Sequence, residues 1–160
     1  MVTVKAKTRK AGRLVNTGHV DTIIRNYKQE RWANNSKHIG KEDSLSVWFS
    51  IEEIEEFLAK AKDQGGDGVR FYFAAYSNDF AEQPLYAGRQ TIVMVATQGK
   101  ETEKGLVDKD VYVSTENGTS ILAYNVGKLC PPMCSRPGGP NGDDGLGITI
   151  IERNDGMVIV

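Results

Sequence analysis

A strand that runs directly into a capped helix is the feature that most constrains this chain. Residues 45–49 form a short apolar run, and Ser50 follows at once. Ser50 and Glu53 have the spacing of a capping box, in which each side chain accepts a hydrogen bond from the other residue's backbone N–H. The pattern predicts a helix that follows Ser50 and stops at the Gly65-Gly66 pair. Its predicted apolar face consists of Ile51, Ile54, Leu58 and Ala61.

The segments around this helix predict a fold rich in strands. Alternating apolar and polar residues are typical of strands with one wet face, and Asn117-Gly118 between two such runs favours a hairpin. The other predicted elements are a strand or arm at 2–8, a helix from Val20 to Asn34-Asn35, a strand at 69–76 with aromatic surface on both faces, strands at 91–97, 111–115 and 120–126, and a final hairpin at 147–151 and 157–160. We therefore expect an α+β fold, with a mostly antiparallel sheet of about six strands and two helices packed on one face.

Length and composition favour a single domain over residues 1–160. The 39% of hydrophobic residues are enough for one core. The longest apolar run, at 92–96, is far shorter than the ~20 residues that cross a bilayer, so no membrane partner is expected. The N-terminus has no apolar block of secretory length, which predicts a cytoplasmic location.

The charge of the chain is unevenly divided. Residues 1–40 carry nine basic and two acidic side chains, a net +7, whereas the whole chain has a net charge of −1. Residues 1–18 therefore form a basic strand or arm, which could meet a polyanion, an acidic surface on another subunit, or the acidic body of its own chain. The candidate interaction residues of this arm are Lys5, Lys7, Arg9, Lys10 and Arg13.

The cysteine pair Cys130 and Cys134 surrounds a double proline and leaves three interpretations. A zinc site would need His19 and His38 as further ligands, and their separation matches no finger-like spacing. A disulfide requires the prolines to force a tight turn, and a cytoplasmic setting opposes it. We favour a pair of structural thiols, with no metal and no cofactor.

The loop at 135–147, rich in Gly and Pro, precedes the final hairpin. Its glycines could expose N–H groups to an anion, and Asn141, Asp143 and Asp144 could offer oxygens to calcium. The sequence has neither the Gly-Lys-Ser/Thr of a phosphate loop nor the residue order of a calcium EF-hand. We interpret the loop as a flexible connector.

No segment has the pattern of an enzyme active site, and we assign no catalytic residue. The chain lacks GxSxG and HExxH motifs and a Cys/His nucleophile pair. Nucleic acid is a less favoured partner, because the body is acidic and the aromatic strand lacks the Gly-aromatic pattern of an RNA-binding sheet.

Five segments in order resemble a family of small standalone bacterial hypothetical proteins. They are a helix ending in Trp, SVWFSIEEIEEFL, GVRFYFAAY, TIVMVAT and CPPMC, and together they span roughly residues 20–134. In that family a CPP-x-C segment lies near the C-terminus, and no activity is assigned. The resemblance implies a bacterial cytoplasmic domain and supplies no catalytic residue.

These observations favour a non-enzymatic interaction or self-assembly protein. Its partner would be a second copy or another protein, met through the basic arm and the terminal strand edge at 157–160. The alternative is a small ligand- or metal-binding domain centred on the CPPMC segment and the Gly-rich loop after it.

Overall fold

A computed structural model describes residues 9–134 together with the strand backbones at 150–153 and 156–159. The predicted strand at 2–8 and the loop at 135–147 lie outside the described residues. None of the helices in the described part combines the length and the apolarity needed to cross a bilayer.

The first helical run has three parts: α1 (Thr17–Tyr27), a π-helical segment (Lys28–Trp32) and α2 (Ala33–Ile39). Asn16 caps its start, because its side chain accepts a hydrogen bond from the backbone N–H of His19 at 2.9 Å. The prediction that the run ends near residues 34–35 is wrong, because the helix continues to Ile39. Gly40 ends it in the left-handed conformation that glycine adopts at low cost, with φ of 73°.

Helix α3 (Ile51–Asp63) begins with the predicted capping box, which is confirmed. Ser50 Oγ accepts from the Glu53 N–H at 3.1 Å, and Glu53 Oε2 accepts from the Ser50 N–H at 2.8 Å. Hydrogen bonds from Ser50, and then from Tyr124, lower the pKa of Glu53. Its buried face agrees with the prediction at Ala61 and differs at two positions, since Phe57 is also buried and Ile51 is 76% exposed. With 3.6 residues per turn, Ile51 lies about 120° around the helix from Phe57.

The α+β class is confirmed, and every strand pair in the described residues is antiparallel. The described residues contain ten strands where about six were expected. The strands are β1 (Ser46–Trp48), β2 (Gly68–Ala75), β3 (Gln90–Thr102), β4 (Gly105–Asp110), β5 (Tyr112–Thr115), β6 (Gly118–Ile121), β7 (Ala123–Tyr124), β8 (Lys128–Cys130), β9 (Ile150–Arg153) and β10 (Gly156–Ile159).

The long strand β3 is the centre of the main sheet. It pairs with β2 along one side, and on the other side with β7 at Met94 and Val95 and with β4 from Thr97 onward. The predicted hairpins are present as β5–β6 and β9–β10, and β1 pairs with β8. Within the described residues, β9 and β10 form a two-stranded sheet of their own.

Three segments meet at a junction formed by Ala96 of β3, Val111 between β4 and β5, and Leu122 between β6 and β7. Ala96 N–H donates to the carbonyl of Leu122 at 3.0 Å, Val111 N–H to that of Ala96 at 2.9 Å, and Leu122 N–H to that of Val111 at 2.9 Å. All three residues are buried. The cycle of bonds lets β3 change partner from β7 to β4 without leaving these buried backbone groups unpaired.

The core lies between α3 and one face of this sheet. Phe57 and Ala61 belong to the same buried cluster as Met94 and Ala96. The first helical run reaches the same face farther along β3, because Tyr27 Oη donates to Gln90 Oε1 at 2.7 Å and residues 90, 94 and 96 alternate to one side of the strand. The two helical runs therefore pack on one face, as predicted.

Close packing at Gly127 gives a test of this arrangement. A Cβ at this position would lie 2.5 Å from Phe49 Cζ and 2.6 Å from Val47 Cγ1, and Phe49 packs against the core. We expect Gly127→Ala to lower the free energy of unfolding by about 1–3 kcal/mol, measured by urea denaturation. Gly12→Ala is the matched control, because no atom lies within 4 Å of its added Cβ. Equal midpoints for both variants would contradict this packing.

Candidate functional site

Arg9, the first described residue of the basic arm, contacts its own chain. Arg9 Nη2 lies 2.6 Å from Asp108 Oδ1 and 3.9 Å from Asp67 Oδ2. Lys10 and Arg13 are exposed, and the remaining predicted arm residues, Lys5 and Lys7, lie outside the described residues. Arg9 therefore binds the acidic body of its own chain, which was one of the three roles considered for the arm.

Cys130 and Cys134 form a disulfide, so the interpretation as packed thiols is wrong. Met133 N–H donates to the Leu129 carbonyl at 2.7 Å and closes a tight turn. This turn brings the two cysteine Cα atoms to 4.7 Å, which lies within the range that a disulfide spans. Both sulfurs are thus bonded to each other, and the described residues contain no cluster of side chains suited to a metal.

Strand β2 leaves one edge of the main sheet without a strand partner in the described part of the chain. Tyr76 N–H donates to the Arg89 carbonyl at 3.0 Å and continues the β2–β3 ladder. Because antiparallel ladders alternate, the N–H groups at even positions of β2 point to β3. The N–H groups of Val69, Phe71, Phe73 and Ala75 therefore point to the free edge.

Aromatic side chains cover both faces of this edge strand, as predicted. Phe71 and Phe73 are 58% and 85% exposed, although the register places them on the core face beside Met94 and Ile92. On the opposite face, Asp110 accepts hydrogen bonds from Arg70 Nη1 at 2.7 Å and from Tyr72 Oη at 2.8 Å. The apolar face of β2, which carries Phe71 and Phe73, is thus left exposed.

A cleft of about 580 Å³ opens where β2 ends, beside the last turns of α2. Asp43 and Gln90 also line it. Its walls are both polar and aromatic, and their main side chains are Asn35, His38, Ile39, Phe73, Tyr76 and Asn78.

Asp43 is the buried acid of this cleft, with 2% of its surface exposed. Its Oδ1 accepts from the backbone N–H groups of Gln90 at 2.7 Å and Ser44 at 2.8 Å. Its own backbone is held by the helical run, because Trp32 Nε1 donates to the Asp43 carbonyl at 2.8 Å and the Asp43 N–H donates to Ser36 Oγ at 2.9 Å. Helix, loop and sheet together fix this carboxylate.

The charge of Asp43 acts on two neighbouring groups. Burial, and secondly the negative charge of Asp43, raise the pKa of Tyr27. Burial lowers the pKa of Arg89, and the charges of Asp43 and Glu42 offset this only in part. Arg89 directs its guanidinium to the carbonyls of Leu85 and Glu42. Its hydrogen bonds thus go to backbone oxygens and leave the Asp43 carboxylate without an arginine donor.

Asp43 was not among the functional residues predicted from the sequence. It stands in the stretch 41–44, whose polar residues are typical of a solvated loop. The only local signal is its place between Gly40, which can end a helix, and the apolar run at 45–49. Partners more than forty residues away in sequence, such as Gln90, give no pattern that a single sequence shows.

No protein-family model, curated protein or solved structure matches this chain. The resemblance to small bacterial proteins stays a prediction, and the two surfaces at β2 must be interpreted from their chemistry.

The disulfide gives a direct prediction. Unreduced protein should resist alkylation and gain two modified cysteines only after reduction, as measured by intact mass. In the chain-entropy treatment, a loop this short stabilises the fold by about 2 kcal/mol, so Cys130→Ser with Cys134→Ser should lower unfolding stability by about that amount. Two thiols that react freely in the unreduced folded protein would contradict the bond.

Proposed function

We propose that this chain is a non-enzymatic protein that self-associates by pairing the free edge of β2 with the same strand of a second copy. The observation that carries the proposal is an eight-residue edge strand with Phe71 and Phe73 exposed. Long apolar edges invite pairing with another chain, and proteins that remain monomeric usually protect such edges with charges, proline or a covering element.

The chemistry of the edge favours an identical partner. Two β2 strands related by a two-fold axis run antiparallel, so each offers outward N–H and C=O groups to the other. With the axis near Tyr72, Phe71 of one copy would face Phe73 of the second copy on the same side of the joined sheet. Such aromatic cross-strand pairs contribute roughly 0.2–1 kcal/mol each, and the joined strands also cover apolar surface.

Nucleic acid is supported less well as a partner. Arg9 is already matched by Asp108, and Arg70 by Asp110. The basic groups beside the aromatic edge therefore come with acidic partners, whereas binding to a phosphate backbone needs free positive charge.

The disulfide bears on the cellular compartment in which the protein functions. Cytoplasmic thiols are kept reduced, so a bond between Cys130 and Cys134 supports an oxidising compartment over the cytoplasmic location that the sequence predicted. We propose such a compartment. Alkylation of intact cells before lysis tests it, because thiols that react at once would favour the cytoplasm.

Light scattering coupled to size exclusion tests the self-association. From micromolar to millimolar concentration, the wild-type mass should rise toward twice the 17.6 kDa of one chain. Phe71→Lys with Phe73→Lys should keep the mass of one chain, because two charges would face two others across the pair. Ala75→Pro should weaken pairing through the backbone alone, since it removes an N–H that points to the free edge.

The matched control is Tyr112→Lys, which places the same charge at a 61% exposed aromatic residue of β5, a strand that does not pair with β2. Its mass should follow the wild type. A wild-type chain that stays at one-chain mass throughout, or lysine variants that associate normally, would overturn the proposal. Association that disappears in high salt would favour the basic arm instead.

A further inference from the structure

We propose that the cleft beside α2 binds a small organic cation with an apolar or aromatic body, and that Asp43 is its counter-charge. This site shares Phe73 with the edge of β2, but it does not depend on self-association, because Asp43 lies outside that strand. Its volume of about 580 Å³ falls within the range usual for small-molecule sites.

The sign of the ligand's charge follows from Asp43. This carboxylate lines the cleft and is 2% exposed, and it forms no ion pair with a described residue. Its hydrogen bonds to Ser44 and Gln90 both use Oδ1. A buried carboxylate is costly unless positive charge compensates it. Arg89 interacts electrostatically with Asp43, but its guanidinium donates to the carbonyls of Leu85 and Glu42 and does not line the cleft. An ammonium group in the cleft would add to that compensation, and it is favoured there over an anion.

The apolar part of the ligand follows from the aromatic walls. Phe73 is 85% exposed at the cleft, so its ring is open to a ligand. Tyr76 is held in place, because its ring stacks on Phe80 with centroids 4.4 Å apart and lies 5.7 Å from the ring of Tyr86. Aromatic faces attract organic cations and also cover an apolar body.

The polar walls restrict what else can bind. Asn35, His38 and Asn78 can exchange hydrogen bonds with a hydroxyl or a second polar group on the ligand. A metal ion fits poorly, because the described residues contain no group of three or more side chains suited to hold one. The set of one carboxylate, two rings and several amides matches an amine attached to a ring.

The backbone around Asp43 is built to hold this charge in place. The π-helical segment Lys28–Trp32 precedes α2 and ends at Trp32, whose indole donates to the Asp43 carbonyl. Insertions of this kind often occur at functional sites. A carboxylate fixed before the ligand arrives loses little freedom on binding, which favours affinity.

Calorimetric titration with three matched probes tests the inference. Phenethylamine is a cation at neutral pH, 2-phenylethanol is its neutral counterpart, and 3-phenylpropionate is an anion of similar shape. We expect the amine to bind at least tenfold more tightly than the alcohol, and the anion to show no binding. Equal binding of amine and alcohol, or no binding of the amine, would overturn the proposal.

Asp43→Asn is the informative variant, because an amide oxygen can still accept the hydrogen bonds from Ser44 and Gln90 while the charge is removed. It should bind phenethylamine at least tenfold more weakly and retain the wild-type circular dichroism spectrum. Phe73→Leu should lower the affinity for phenethylamine several-fold. If Asp43→Asn does not fold, this variant becomes the test of the cleft. Tyr112→Leu, at an exposed ring that does not line the cleft, should bind as the wild type does. Folded Asp43→Asn protein with unchanged affinity would contradict the role of Asp43.

The titrations are run at concentrations where scattering gives the mass of one chain. Asp43 lies outside β2, so loss of amine binding in Asp43→Asn with unchanged association separates the cleft from the pairing edge. Failure of either proposal then leaves the other standing.

Discussion

The cycle of backbone hydrogen bonds among Ala96, Val111 and Leu122 is the interaction on which the rest of the structure depends. A buried backbone group costs free energy when it has no partner, and Ala96 is fully buried. Its N–H and C=O are satisfied by two different segments, and those segments are joined by the third bond. One side of β3 can therefore pair first with β7 and then with β4. The same three residues lie under α3, so sheet pairing and core packing reinforce each other.

This division of β3 explains where the open surfaces of the molecule lie. The side that faces β4 and β7 is occupied over most of its length, whereas the other side carries β2 alone. Helix α3 covers the start of β2 near Val69, and α2 approaches its end near Ala75. The middle of β2, with Phe71 and Phe73, lies between the two helical runs. The free edge of β2 and the cleft thus both arise because the helical runs cover only the two ends of this strand.

The elements that were predictable from sequence are those whose signals are local. The capping box at Ser50 needs only four residues, and the hairpin at Gly118 only a turn and its flanking strands. Strand β4 was missed because charged residues surround its Leu106 and Val107, and its pairing with β3 overrides that polarity. The end of the first helical run was placed too early because two asparagines resemble a stop, whereas Asn34 instead donates to the Glu30 carbonyl inside the helix.

The functional candidates were harder to predict, because their geometry depends on distant parts of the chain. The aromatic strand was correctly identified, but its position at a sheet edge depends on which strands fail to reach it. The disulfide depends on a turn whose closure the pattern CPPMC permits without requiring. Asp43 becomes a buried acid only because α2 and the start of β3 enclose it. Local sequence patterns therefore predict the helices and hairpins, whereas the candidate sites depend on pairing between residues that are distant in sequence.

The pairing of β1 with β8 has a consequence for how the chain is made. Trp48 pairs with Lys128, 80 residues later, and Ser46 pairs with Cys130. Contacts between residues far apart in sequence slow folding. During synthesis, β1 also stays without its partner until the residues of β8, more than 80 positions after the first residue of β1, have been made.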